Sequence, residues 1–173
     1  MNEDNDLVYS FINGDDTAFE ALVLKYRQAA IQFSIQFIHD YHIAEDIAQE
    51  SFASIYVYKE RFNFKSSFKT YLFTIVRNKS IDYIRKNNRV SLEEFEVIDE
   101  NGAEDLIVKQ EEKIYLKETM NRLKDEYKIA IYLIDYNDMS YSEAARIMGK
   151  SVVQIKVLIY RARKKLKLLL QEE

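Results

Sequence analysis

Between Arg146 and Lys167 the sequence places eight bases and no acid: Arg146, Lys150, Lys156, Arg161, Arg163, Lys164, Lys165 and Lys167. Lys156, Tyr160, Arg163, Lys164 and Lys167 fall off an apolar stripe formed by Ile155, Ile159, Ala162, Leu166 and Leu169. A helix of this kind can hold a bundle with its apolar face and meet phosphates and base edges with the other. The plain alternative is a basic helix facing solvent. A second cationic stretch, Arg61 to Arg89, sets eight bases against Asp82 and interleaves them with Phe62, Phe64, Phe68, Tyr71, Phe73 and Tyr83. Rings among cations suit unstacked bases, each worth about 1–3 kcal/mol of stacking, although most rings of a helical domain are core. Asn78 sits among these bases, and Asn78, Arg85 and Arg89 share one side at helical spacing.

A third group is acidic and polar. Glu45, Asp46, Gln49 and Glu50 project opposite the apolar face of their helix, as a solvated stripe or as a protein-docking patch. His39 and His42 lie near Glu45 and Asp46 but straddle a helix start, with no second cluster nearby, so no metal site is expected. There is no Cys, no Ser/His/Asp set and no phosphate-binding glycine loop. No catalytic residue and no cofactor are expected.

The elements that must position these groups read as helices throughout. The 173 residues contain no Pro and only three Gly, too few breakers for a sandwich or barrel with many tight turns. The first strong helix is expected near Thr17, with Thr17-Ala18-Phe19-Glu20 as a capping box and Phe19, Leu22, Tyr26, Ala30, Phe33 and Phe37 as its stripe. A second should run from about His42 to Glu60, burying Ala44, Ile47, Ala48 and Ile55, and a third from after Ser66-Ser67 through Lys86. Periodicity stops between Val90 and Glu112, where acids dominate and Asn101-Gly102 signals a turn; Leu92, Phe95, Val97 and Ile98 suggest that part of this linker docks. Helices resume over Tyr115 to Leu123 and about Glu126 to Tyr136. Ser140-Tyr141-Ser142-Glu143 then caps a short helix with Ala144, Ala145 and Met148 inward, Gly149 stops it, and Ser151-Val152-Val153-Gln154 caps the long basic helix. Two capped helices about a glycine turn make a helix-turn-helix. The acidic start, Met1 to Asp6, leads into a polar segment and does not read as a secretory signal, and no apolar run approaches the roughly 20 residues of a membrane span. A cytoplasmic protein is expected.

Net charge is −4, yet its layout alternates. Eleven acids face three bases up to Glu60, and nine acids face Lys109 alone between Val90 and Glu112, so two cationic blocks stand apart. Such a chain should bind free duplex weakly and need a partner.

The order of these features resembles the bacterial RNA polymerase sigma factors of the extracytoplasmic-function (ECF) group. Gly14-Asp15-Asp16-Thr17-Ala18-Phe19-Glu20 is similar to the start of the family's N-terminal helix. Ala44 to Phe52 resembles the polymerase-docking helix of region two, Phe68 to Asn78 the promoter-melting segment, and Leu123 to Leu169 region four. The resemblance implies an all-α chain with region two in residues 1–89, an acidic linker in 90–112 and region four in 113–173. It implies that Asp46, Gln49 and Glu50 dock on the clamp helices of the polymerase's largest subunit. Phe64, Lys65, Tyr71, Asn78 and Arg85 would meet the melted minus-ten element, and Lys156, Val157, Tyr160, Arg161 and Lys164 the minus-thirty-five duplex. The linker would thread toward the RNA exit path. Its implied partners are core RNA polymerase and promoter DNA; an anti-sigma factor is common in the family. Three positions depart from the family pattern: Tyr71 stands where Trp is frequent, Leu123-Lys124 replaces Leu-Pro, and Val157-Leu158 replaces a small polar residue and Arg. The last change favours contact with thymine methyls or shape readout.

Overall fold

The structure is a computed structural model that describes residues 3–87, 115–116 and 118–171. The linker, with its apolar Leu92, Phe95, Val97 and Ile98, and Arg89 lie outside the described residues. Among the described residues every regular element is helical, and two compact units form.

In the first unit α1 (Glu3–Ile12), α2 (Asp16–Ile38), α3 (Tyr41–Val57) and α4 (Phe68–Asn87) pack around α2, which touches the other three. Helix α1 corrects the reading of the N-terminus as a polar lead-in. Its Val8 and Phe11 are fully buried, and its buried Asp4 accepts from Lys25 Nζ at 2.6 Å and from the Tyr26 hydroxyl. Burial and that hydrogen bond push the Tyr26 phenol well above its ordinary pKa. The acid-rich start thus carries an apolar edge that packs mainly on α2, with the Tyr56 ring of α3 also against Phe11.

Helix α2 is capped two residues upstream of the expected Thr17–Glu20 box. Asp15 is its cap, accepting from the amides of Thr17 at 3.0 Å and Ala18 at 3.4 Å, while the Thr17 hydroxyl also donates to it at 2.6 Å. These bonds, the Thr17 hydroxyl first, hold the Asp15 carboxyl below the usual range, and an anion there also suits the helix dipole. Of the expected stripe, Leu22, Ala30 and Phe33 are buried, whereas Phe19, Tyr26 and Phe37 are half-buried. His39 ends α2 in the left-handed conformation (φ 58°), its amide donating to Ile35 at 3.3 Å, and Asp40 caps α3 through the Ile43 amide at 3.0 Å. Helix α3 stops at Val57, short of the expected Glu60, and a 3-10 turn follows at Lys59–Arg61. Ser67 caps α4, where the reading placed its start, accepting from the Thr70 amide at 3.2 Å.

The core of this unit is aromatic. Phe33 and Phe73 stack at 4.5 Å between centroids and 9° between planes, both fully buried. Replacing Phe33 by Ala removes that contact and opens a cavity, so we expect a loss of about 3–5 kcal/mol in chemical denaturation. A loss below about 1 kcal/mol would contradict this packing.

In the second unit residues 115–116 and 118–121 are helical, and α5 (Asp125–Ile131) buries Ile129, Ala130 and Ile131. The helix expected to continue to Tyr136 instead widens into a π-helical stretch, Tyr132–Tyr136. The Asn137 amide closes it on the Tyr132 carbonyl at 3.1 Å, and the Asn137 side chain donates to the same oxygen at 2.9 Å. Helix α6 (Tyr141–Met148) and helix α7 (Val152–Gln171) follow, and α5 packs on α7.

Candidate functional site

Three surfaces collect the candidate residues. On α3 the buried face is Ala44, Ile47, Ala48, Ser51, Phe52 and Ile55, which leaves Asp46, Gln49 and Glu50 exposed at i, i+3 and i+4. Glu45 differs. It is half-buried and ion-paired to Arg27 at 2.5 Å, so it belongs to the fold as much as to the patch. Glu50 meets Lys79 at 3.6 Å with its carboxylate largely exposed, and a surface pair of that kind costs little to exchange for another partner.

The second surface lies at the start of α4. Phe62 is buried, and two rings lean edge-on against it: Phe64 at 4.9 Å and Tyr71 at 5.2 Å. Phe64 is 45% exposed and has φ 58°, a costly conformation for a bulky residue. Its neighbour makes this possible: the Asn63 side chain accepts from the Lys65 amide at 3.1 Å, folding the chain tightly around Phe64. The half-buried Tyr71 keeps its phenol protonated, since burial raises its pKa against the opposing pull of Arg61. Arg61 itself lies over the Tyr58 ring at 4.1 Å, a cation–π contact the sequence reading missed. Tyr71, Asn78 and Arg85 recur every seven residues and so share one face of α4; Asn78 and Arg85 are exposed. Asn78 Oδ1 accepts from Arg77 Nη1 at 3.2 Å, and burial with the nearby Arg85 charge lowers the Arg77 pKa.

The third surface is the exposed face of α7. Both expected capping boxes are present. Ser140 and Glu143 exchange bonds, the Ser140 amide donating to Glu143 Oε2 at 3.0 Å and the Glu143 amide to Ser140 Oγ at 3.2 Å. Ser151 and Gln154 do the same at 2.8 and 3.2 Å. Between them Gly149 adopts φ 63°, and the Lys150 amide closes back on Ala145 at 3.0 Å. Ile155, Ile159, Ala162 and Leu169 are buried and Leu166 half-buried, so Lys156, Val157, Tyr160, Arg161 and Lys164 all face solvent. Tyr160 is 67% exposed, a large ring with no place in the core. Arg163, expected on the free cationic face, is held instead by Asp135 of the π-helical stretch. Burial pushes the nearby Tyr132 phenol up to about 12.

Neither histidine joins a cluster: among the described residues no group of three or more His, Cys, Asp or Glu is placed to hold a metal ion. No described helix is long and apolar enough to cross a membrane.

Comparison with known proteins gives these surfaces a context. The family model for Sigma-70 region 2 matches residues 22–90, and that for Sigma-70 region 4 matches residues 113–166. The chain is 31% identical over 147 residues to the ECF RNA polymerase sigma factor SigM of Bacillus subtilis, covering 83% of this chain and 90% of the relative. It is 28% identical over 176 residues to the RNA polymerase sigma-H factor of Pseudomonas aeruginosa, covering 94% and 91%. Among solved structures it is similar to the sigma factor RpoE of Bartonella quintana, crystallised with the anti-sigma factor NepR: TM-score 0.70, 29% identity, 90% and 98% coverage. Both regions in order, on a wholly helical pair of units, with relatives matched along nearly their whole length, place the chain in the ECF group of RNA polymerase sigma factors, which direct the polymerase to promoters.

Proposed function

We propose that this sigma factor docks on core polymerase through Asp46, Gln49 and Glu50 and nucleates promoter opening with Phe64 and Tyr71, while α7 reads the upstream duplex. In this reading region two occupies residues 1–89 and region four residues 113–173, joined by the acidic linker 90–112. Phe64, Lys65, Tyr71, Asn78 and Arg85 face the melted minus-ten strand. Lys156, Val157, Tyr160, Arg161 and Lys164 face the minus-thirty-five duplex, with Val157 suited to thymine methyls.

The observation that carries the melting role is the ring trio. A buried Phe62 supports an exposed Phe64 and a half-exposed Tyr71, so a flipped base meets rigid aromatic edges already in place. Magnitudes set the division of labour. Opening about a dozen base pairs costs about 15 kcal/mol at roughly 1.4 kcal/mol per step. Capturing two or three bases returns about 3–9 kcal/mol. The sigma factor therefore starts the bubble, and the core enzyme's cleft holds the rest. The protein acts without turnover of its own, in the cytoplasm where the polymerase works, and an anti-sigma factor would silence it by covering these same surfaces.

Run-off transcription with purified core enzyme on a promoter library tests this reading. Specific transcripts are expected only when the chain is added. Equal transcription with and without it would overturn the proposal.

A further inference from the structure

The cationic face of α7 contains one base that is not free. Arg163 donates to Asp135 through Nε at 3.1 Å and through Nη2 at 2.5 Å, a two-pronged pairing that matches guanidinium to carboxylate in one plane. Both side chains remain substantially exposed, and this pair together with the nearby Tyr141 raises the Arg163 pKa. Asp135 reaches Arg163 from the π-helical stretch Tyr132–Tyr136, whose backbone is closed twice over by Asn137. The carboxylate is therefore held by a built turn. Around the pair, α7 carries a groove of about 820 Å³ lined by Lys156, Tyr160, Lys164 and Lys167, with Arg163 and Tyr141 also on its wall. Asp135, paired to a residue of the groove wall, withdraws a guanidinium and adds a negative charge where a phosphate would otherwise approach.

We propose that Asp135 limits the non-specific duplex affinity of this surface by keeping Arg163 off the phosphate backbone. This rests on the reading of α7 as the duplex-binding helix. Phosphate contacts give affinity without sequence information, so each cation withheld lowers binding to every sequence alike and leaves base contacts a larger share of the total. Asp135 thus serves discrimination without touching a base. It also helps explain how a helix so rich in cations can belong to a protein meant to engage DNA in company.

The test uses the full chain and a random-sequence 30-base-pair duplex, with anisotropy titrations across a salt series. Each phosphate neutralised adds about 0.9 to the slope of log K against log salt. Asp135→Asn, of the same shape, is expected to steepen that slope by about 0.9 and to tighten binding about 3- to 10-fold at low salt. Arg163→Gln alone should leave the slope unchanged, and the double variant, whose net charge equals the parent's, should return to parental behaviour. Lys164→Gln should flatten the slope by about 0.9, which separates the two claims. If Lys164→Gln acts and Asp135→Asn does not, the masking role falls while the duplex reading stands. If neither acts, both fall. Should Asp135→Asn melt the second unit in circular dichroism, Arg163→Gln decides alone: a slope reduced by a full contact overturns the proposal, and an unchanged one supports it.

Discussion

Charge reversal at Asp46 and Glu50, to Lys at both, is expected to weaken binding to core RNA polymerase at least about a hundredfold and to lower the thermal midpoint by no more than a few degrees. Both side chains are exposed on α3, opposite the face buried by Ile47, Phe52 and Ile55, so neither contributes to the packing. Among the described residues the one side-chain partner of either is Lys79, 3.6 Å from Glu50, and a solvated pair of that kind is worth at most about 1 kcal/mol. At an interface the same groups count for more, because a truncated charge pair costs about 2–5 kcal/mol and every 1.4 kcal/mol is tenfold. Gln49→Ala should have a smaller effect, having no charge to reverse. Glu45→Ala is the useful contrast, since its bond to Arg27 ties α3 to α2 and its loss should show in stability as well. Affinity for core within twofold of the parent in the Asp46/Glu50 variant would remove the docking assignment.

The second large effect concerns opening. Phe64→Ala combined with Tyr71→Ala should reduce open-complex formation on a duplex promoter at least about thirtyfold, from the loss of two stacking platforms at about 1–3 kcal/mol each. Polymerase binding should persist, because both rings lie away from the α3 patch in sequence and neither packs in the Phe33–Phe73 core. A template whose minus-ten region is already mismatched should rescue transcription, since the bases no longer need to be pulled from a stack. Permanganate reactivity of unpaired thymines reports the bubble directly. Parental reactivity on the fully paired promoter would contradict the role given to these rings.

How much of this was legible beforehand depended on how local each interaction is. The Ser140–Glu143 and Ser151–Gln154 boxes could be read because each closes its bonds within three residues, and they fix where α6 and α7 begin. The outward set on α7 follows from the same periodicity that buries Ile155, Ile159 and Ala162. Helix α1 was missed because its acids mask a short apolar edge, and Val8 and Phe11 declare themselves only once the neighbouring helices are in place. Asp15, not Thr17, caps α2; both are residue types that cap helices, and the choice between them rests on backbone geometry. The conformation of Phe64 depends on the Asn63 side chain and the Phe62 ring, which no periodic pattern encodes. The Asp135–Arg163 pair spans 28 residues and passes through a π-helical widening, so helical phase alone assigned Arg163 to the free face.

The central claim is that two cationic helical surfaces engage promoter DNA effectively only when the acidic patch on α3 has brought the chain to polymerase. Anisotropy of a labelled promoter fragment at physiological salt, with the chain alone, core enzyme alone and both together, tests it most directly. The account predicts weak, sequence-indifferent binding by the chain alone and tight, promoter-specific binding only by the combination. Tight binding by the isolated chain, unaltered by added core enzyme, would contradict it.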